Sequence, residues 1–254
     1  FKDVVSQVLT FDYLGALAVS VLFPILLVPH LGLMRSGLLF GVLNVAVALW
    51  TSWLFNAQLA TSARRLRAQG IGALLLLLIA FAAAGRLTSL AEAQIYNDEI
   101  VYSESTPYQR IVVTRWRDDL RLHLNNNLQF SSRDEYRYHE ALVHPGLATL
   151  PHARRVLILG GGDGLALREV LKYPQIEAVT LVDLDPAMTS LFSRAAPLRK
   201  LNADSLASPK VTVVNADALQ WLEENSATFD FAVVDFPDPS NFAIGKLYSA
   251  SFYR

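Results

Sequence analysis

Charge is nearly missing from three stretches of the first 85 residues, Tyr13 to Pro29, Ser36 to Phe55 and Ile71 to Gly85, whereas a charged residue recurs every few positions after Glu92. A helix that crosses a bilayer needs about 20 predominantly apolar residues. The second stretch meets that length. The first meets it narrowly and contains Pro24, which membrane helices tolerate; the third has a short apolar core, Ala73 to Ala84, before Arg86. Runs with barely a polar face are read as membrane helices rather than as buried helices of a soluble bundle. They are too many and too late for a signal peptide. The whole sequence, 52% hydrophobic and 18% charged over 254 residues, is more apolar than an ordinary soluble domain.

Other classes are set aside by charge and composition. A net charge of −1 with no basic stripe argues against nucleic acid as a partner. No cysteine is present, which excludes disulfides and cysteine-held metal, and no metal site is expected. The sequence starts at Phe1 rather than methionine and stops at Arg254 without a terminating loop, so it is read as a segment of a longer protein.

Past the apolar runs the pattern changes to strands and turns. Arg110 to Thr114 is rich in β-branched residues, Asp118-Asp119 breaks it, and Leu120, Leu122 and Leu124 alternate with polar neighbours. Asn125, Asn126 and Asn127 then supply a turn. A helix is predicted from Asp134 to about Leu150, with acids in its first turn and Pro151 beyond its end. Strands are predicted at Arg155 to Leu159, Ala178 to Val182, Val211 to Val214 and Phe231 to Asp235. Helices at Leu165 to Lys172, Pro186 to Ala195 and Ala218 to Glu224 separate them. That alternation predicts an α/β fold, a parallel sheet with helices on both faces. The expected organisation is a transmembrane helical region over 1–91, a β-hairpin-rich part over 92–133 and a Rossmann-like domain over 134–254.

Gly160-Gly161-Gly162-Asp163-Gly164 follows a strand and opens a helix, so backbone can approach a ligand closely there. Leu165 stands where the dinucleotide fingerprint needs its third glycine, which disfavours a pyrophosphate-binding NAD site. The run fits the looser G-x-G-x-G that S-adenosyl-nucleotide domains use. Asp183 ends the second strand about 20 residues on, where a carboxylate can accept both ribose hydroxyls. Asp217 ends the third strand, in position to accept from the exocyclic amine of adenine.

Taken with Tyr108-Gln109, Gln129, Asp134-Glu135, Tyr138-His139-Glu140, Val182-Asp183-Leu184-Asp185, Asp217-Ala218 and Asp235-Phe236-Pro237-Asp238-Pro239, the glycine run resembles the polyamine aminopropyltransferases, spermidine synthase in particular. The resemblance covers Thr106 to Tyr253, and the apolar half is similar to the membrane-anchored, multi-pass members. It implies aminopropyl transfer from decarboxylated S-adenosylmethionine, a co-substrate rather than a resident cofactor, to putrescine or a related amine. It further implies that Gln109, Gly160, Gly162, Gly164, Asp183, Asp217 and Ala218 hold the nucleoside and that Asp163 takes the aminopropyl ammonium. Asp235 is the implied general base, and Gln129, Tyr138, His139 and Asp238 line the amine side. Relatives of this kind are usually dimers, which makes a homodimer possible alongside the bilayer as partner.

Two points stay open at the level of sequence. Arg64, Arg65 and Arg67 lie in the predicted loop between the second and third runs, and the positive-inside rule puts that loop in the cytoplasm. A third span then carries the globular half to the opposite side, away from the cytoplasmic pool of S-adenosyl nucleotides. Secondly, Phe236-Pro237 and the segment Ser240 to Gly245 depart from the family pattern where the amine is expected, which leaves the acceptor open. A methyltransferase acting on a small molecule and a non-catalytic membrane sensor or transporter are the alternative functions.

Overall fold

The computed structural model describes residues 2–59, 62–239 and 242–253. Its contacts divide the chain into two compact units, Phe1–Ile100 and Val101–Arg254.

The first unit is helical. Helix α1 (Lys2–Leu22) runs through a π-helical turn at Phe23–Leu27 into α2 (Val28–Leu54). Pro24 and Pro29 each lack an N–H, which weakens the α-helical ladder around this turn. At Gly32 the backbone leaves the helix altogether, with φ 76° and ψ 166°. The first two predicted runs are therefore one helical path interrupted at Gly32. After α3 (Asn56–Leu59), α4 (Ala63–Ala82) packs along α2, where Leu49 lies directly over Gly70. Close approach of this kind needs small residues at the crossing. Helix α5 (Ala84–Ile95) follows.

The predicted arginine loop is corrected here. Arg64, Arg65 and Arg67 belong to the first turns of α4, because Arg67 is drawn onto α2 and α3: its guanidinium donates to the Ser52 carbonyl at 2.8 Å and to Asn56 Oδ1 at 2.6 Å. Among the described residues, two helical stretches, Val4–Leu54 and Ala63–Ala82, are long and apolar enough to cross a membrane.

The second unit has two sheets. Strands β1 (Glu99–Ser105), β2 (Arg110–Trp116), β3 (Asp119–Leu124) and β4 (Asn127–Ser131) form a meander in that order, with β2–β3 and β3–β4 antiparallel. Asn125 and Asn126, at φ 50° and 68°, make the two-residue turn between β3 and β4. Asn127 is already in β4, one residue earlier than the predicted turn would end.

Helix α6 (Glu135–Leu147) leads into β5 (Arg155–Gly160), α7 (Leu165–Val170), β6 (Ala178–Asp183), α8 (Pro186–Arg194), α9 (Ala196–Leu201), β7 (Val211–Asn215), α10 (Ala218–Glu224), β8 (Phe231–Asp235) and α11 (Phe242–Gly245). Helix α6 ends at Leu147, sooner than predicted, with Pro145 already inside its last turn. The four later strands are parallel, in the order β7-β6-β5-β8.

Strand β5 explains why the sheet is covered on both faces. Val156 and Ile158 enter a core with Val143 and Leu147 of α6 and Leu167 of α7, while Leu157 and Leu159 enter a second core with Ala218 and Phe252. A strand buried on both sides reads as a continuous apolar run, as Val156 to Leu159 does. The meander packs through Ile111, Val113 and Leu122 onto Met188, Leu191 and Phe192 of α8.

Candidate active site

Strand order reverses between β5 and β8, and in such sheets the ligand crevice opens beyond the carboxyl ends of the strands at that reversal. The residues that end these strands, Gly160 and Asp235, are direct partners across the sheet. Gly160 has φ 83°, and a Cβ there would stand 2.1 Å from the Asp235 carbonyl oxygen, so only glycine lets the turn leave the strand beside β8.

Three acids converge on this turn. Asp183 accepts from the Gly162 N–H and from the Asp185 N–H, each at 2.9 Å. Burial, with Asp185 and Asp235 nearby, pushes its carboxyl up to about 6 despite those two bonds. Asp163 is buried, and its Oδ1 accepts from the Leu165 N–H at 2.9 Å. Burial pushes it up to about 6 as well; His139 opposes the shift and the charges of Asp235 and Asp183 add to it. Asp235 is raised by burial, partly offset by the Tyr138 hydroxyl, which donates to its Oδ1 at 2.8 Å, and by His139. Neighbouring carboxylates in a poorly solvated crevice resist ionising together, and a cation placed among them relieves that cost.

Tyr138 and His139 both come from α6 but do different things. Tyr138 reaches Asp235, and burial with that carboxylate raises its phenol further. His139 is buried and bonds through Nδ1 to the Glu135 carbonyl at 2.8 Å and to Glu135 Oε2 at 2.9 Å. Burial disfavours its charged form, yet the bond to Glu135 and the charges of Asp163 and Asp235 raise it on balance. Glu135 is held in turn by a two-point contact with Arg168, at 2.8 and 3.0 Å. This support for His139 is missing from the sequence reading; the acid at the first turn of α6 was visible, its partner 33 residues on was not.

The other predicted residues are placed as follows. Gln109 Nε2 donates to Asp185 Oδ2 at 3.0 Å, where Thr106 Oγ1 also donates at 2.8 Å, so Gln109 meets the segment just after Asp183. Asp217 caps α10 with Oδ1, which accepts from Leu219 N–H at 2.9 Å, and its Oδ2 takes Lys246 Nζ at 2.8 Å. Burial works against the charge of Asp217, but the Lys246 ammonium and the cap hold its carboxyl low. Ala218 is buried in the core beside β5. Gln129 is exposed and turns its amide back onto the Asn127 carbonyl. Asp238 is exposed, near enough to raise the Tyr248 phenol, which burial raises first.

The departure from the family pattern after Asp235 is also clarified. Phe236 packs into the core around Leu157, Leu159 and Phe252, with its ring edge-on to Tyr248 and Phe252. Alternation along an extended segment sends consecutive side chains to opposite faces, so Phe236 anchors the strand end while Asp235 faces the crevice. The Tyr248 hydroxyl donates to the carbonyls of Phe236 and Pro237 at 3.1 and 3.0 Å. Ser240 and Asn241 of the divergent segment lie outside the described residues. Away from the crevice, Glu140, His144 and Glu169 bring possible metal-ligand atoms within 4.8 Å of one another, but Lys172 Nζ already stands 2.5 Å from Glu169 Oε2.

Comparison with known proteins agrees with this geometry. The spermine/spermidine synthase domain matches residues 135–254. The whole chain aligns at 64% identity with polyamine aminopropyltransferase 2 of Ralstonia nicotianae, covering 50% of that protein. It aligns at 55% identity with the polyamine aminopropyltransferase of Leptospira interrogans, covering 51%. The chain thus spans about half the length of the curated relatives it matches. Among solved structures, a spermidine synthase in complex with the transition-state analogue AdoDATO superposes with a TM-score of 0.57 at 29% identity, over 61% of this chain and 52% of that one. Spermidine synthase from Thermotoga maritima gives 0.55 at 28%, over 61% and 51%. The glycine turn, the strand-end acids and these alignments agree: residues 135–254 match the spermine/spermidine synthase domain, and the chain is similar along its length to polyamine aminopropyltransferases.

Proposed function

We propose that the protein transfers the aminopropyl group of decarboxylated S-adenosylmethionine to putrescine or a related amine, giving spermidine or its counterpart and methylthioadenosine. The observation that carries this reading is the Asp235 carboxylate, tied by Tyr138 and set at the sheet reversal beside the glycine turn that bears Asp163. The donor has lost its carboxylate and presents a sulfonium and an ammonium, so a crevice of buried acids suits it better than a neutral one. Asp163 takes the ammonium, and Asp183 the ribose hydroxyls.

In the transfer, the lone pair of the acceptor nitrogen forms a bond to the carbon next to sulfur. The carbon–sulfur bond breaks, and its electron pair stays on sulfur in methylthioadenosine. The nitrogen sheds a proton, which Asp235 accepts. Burial makes Asp235 a stronger base than a solvated carboxylate, and Tyr138 on Oδ1 leaves Oδ2 for the proton. Adenine recognition by Asp217 requires its exocyclic amine to share or displace Lys246 on Oδ2.

The apolar helices are proposed to hold the protein in a bilayer as multi-pass segments; the exposure of their large apolar side chains supports this. The test of the activity incubates the complete protein with decarboxylated S-adenosylmethionine and a series of diamines. Methylthioadenosine is expected to form, and none above background sinks the proposal. Calorimetry against intact S-adenosylmethionine separates the methyltransferase alternative, which binds the intact donor better.

A further inference from the structure

Two consecutive carbonyls of the glycine turn are held from behind by one distant segment. Asn202 Nδ2 donates to the Asp163 carbonyl at 2.9 Å and to that of Phe192 at 3.2 Å. Ser205 Oγ donates to the Gly164 carbonyl at 2.7 Å. Both side chains are buried, Asn202 completely. Between them Ala203 and Asp204 have φ 54° and 56°, a left-handed conformation that residues with a Cβ rarely adopt. Strain of this kind persists where surrounding contacts fix it, and it concentrates near functional sites. The segment lies directly on the turn, since a Cβ on Gly164 would stand 2.7 Å from Ser205 Oγ and 3.1 Å from Asn202 Nδ2.

A peptide group is planar, so whatever grips its oxygen also aims its N–H. The peptide joining Gly164 to Leu165 has Ser205 on its oxygen and Asp163 Oδ1 on its N–H, at 2.9 Å. The peptide joining Asp163 to Gly164 has Asn202 on its oxygen and the Gly161 carbonyl on its N–H, also at 2.9 Å. One oxygen of the Asp163 carboxylate is thereby pinned through a backbone that Asn202 and Ser205 hold.

We propose that Asn202 and Ser205 are positioning residues for Asp163, fixing its carboxylate to receive the ammonium of the aminopropyl donor. This rests on the role given to Asp163 under Proposed function. Neither residue touches the donor; each acts through the turn.

Methylthioadenosine shares the nucleoside of decarboxylated S-adenosylmethionine but lacks the ammonium, so comparing the two ligands isolates the contact at Asp163. By calorimetry on the full chain, Ser205→Ala is expected to weaken the donor roughly tenfold, the scale of a misaligned charge-assisted hydrogen bond. Methylthioadenosine should stay within about twofold, and Ser205→Thr should restore the donor. In an Asp163→Asn background, Ser205→Ala should cost the donor nothing more, because its route is already cut. Equal weakening of both ligands, or full additivity with Asp163→Asn, shows a merely structural role and overturns the proposal. If Asp163→Asn alone leaves the donor bound as tightly as wild type, the reading of Asp163 fails first and this inference with it. Should Ser205→Ala not fold, Ser205→Cys, a similar volume with a weaker donor, takes the same test.

Discussion

The helices of residues 2–95 and the α/β unit from Val101 onward dispose of their apolar side chains in opposite ways. Trp50, Leu76 and Ile79 project outward, each at least two-thirds exposed, while among the described residues Ser36 and Ser52 of the same unit are buried. In the second unit Val156, Ile158, Leu167 and Leu181 are fully buried, and the acids sit at strand ends. Burying apolar area drives folding only where the surrounding solvent is water. The second unit is organised by that force; on the bilayer reading proposed above, the exposed apolar faces of the first would meet lipid instead.

The comparison is most sharply tested at the site. Asp235→Asn keeps the shape of the strand end and removes the base, so turnover should fall by about 100- to 10,000-fold. Binding of methylthioadenosine should change little, as read by product formation and calorimetry in parallel. Next in size is Gly160→Ala, which forces a Cβ toward the Asp235 carbonyl at a positive φ. It should destabilise the α/β unit by about 3 kcal/mol or more, seen as a lowered melting temperature of the near-ultraviolet signal.

Leu76→Arg addresses the other region. On the bilayer reading a central arginine costs about 2.5 to 3.5 kcal/mol, and the fraction of protein sedimenting with membranes should drop. An unchanged distribution, with the protein equally soluble, removes the bilayer from the account.

Acidity gives a smaller and reversible effect. Asp163 and Asp183 ionise near pH 6 in the folded protein, above the usual carboxylate value near 4. The folded state thus holds extra protons between those limits, and stability of the ligand-free protein should decline as pH rises through that window. Binding of the donor ammonium requires the charged form of Asp163, so donor affinity should move the other way. It should rise by up to about tenfold per pH unit as Asp163 ionises, until pH 6 is passed. Asp163→Asn should flatten the affinity curve and make the stability curve shallower, Asp183 remaining. The least effect is expected of Gly72→Ala, a helix position where a Cβ meets nothing within 4 Å. It should be neutral or stabilise by at most about 1 kcal/mol, measured by thermal unfolding.

Much of the α/β unit was legible because local signals and tertiary structure agree there. Glycines mark the turn, Asp-Pro at Asp185-Pro186 marks a helix start, and apolar runs of four or five residues mark doubly covered strands. Asp183 could be singled out as an acid at a strand end, whereas Tyr138, Asp163 and Asp235 took their roles from the resemblance. What stayed hidden depends on pairs far apart in the chain. Lys246 on Asp217, Arg168 on Glu135 and Asn202 behind Asp163 carry no spacing signature, since each contact exists only once the sheet has formed. Phe236 was read as a departure from the family pattern where the amine is expected, because sequence does not show which face of the strand end a residue takes. The arginines of α4 looked like a loop because charge clustered between apolar runs, while the grip of Arg67 on Ser52 and Asn56 is a long-range contact with no local signature.

The register that sets Gly160 opposite Asp235 has a consequence for how such a site can change over time. On the proposed function, the turn that would cradle one substrate and the group that would take a proton from the other are linked by a shared rung of one sheet. A register slip of either strand alone would break that pairing, so the two are constrained to keep their mutual height. On that proposal, acceptor preference can vary through residues beyond the strand end while the shared rung keeps the dimensions of the reacting centre.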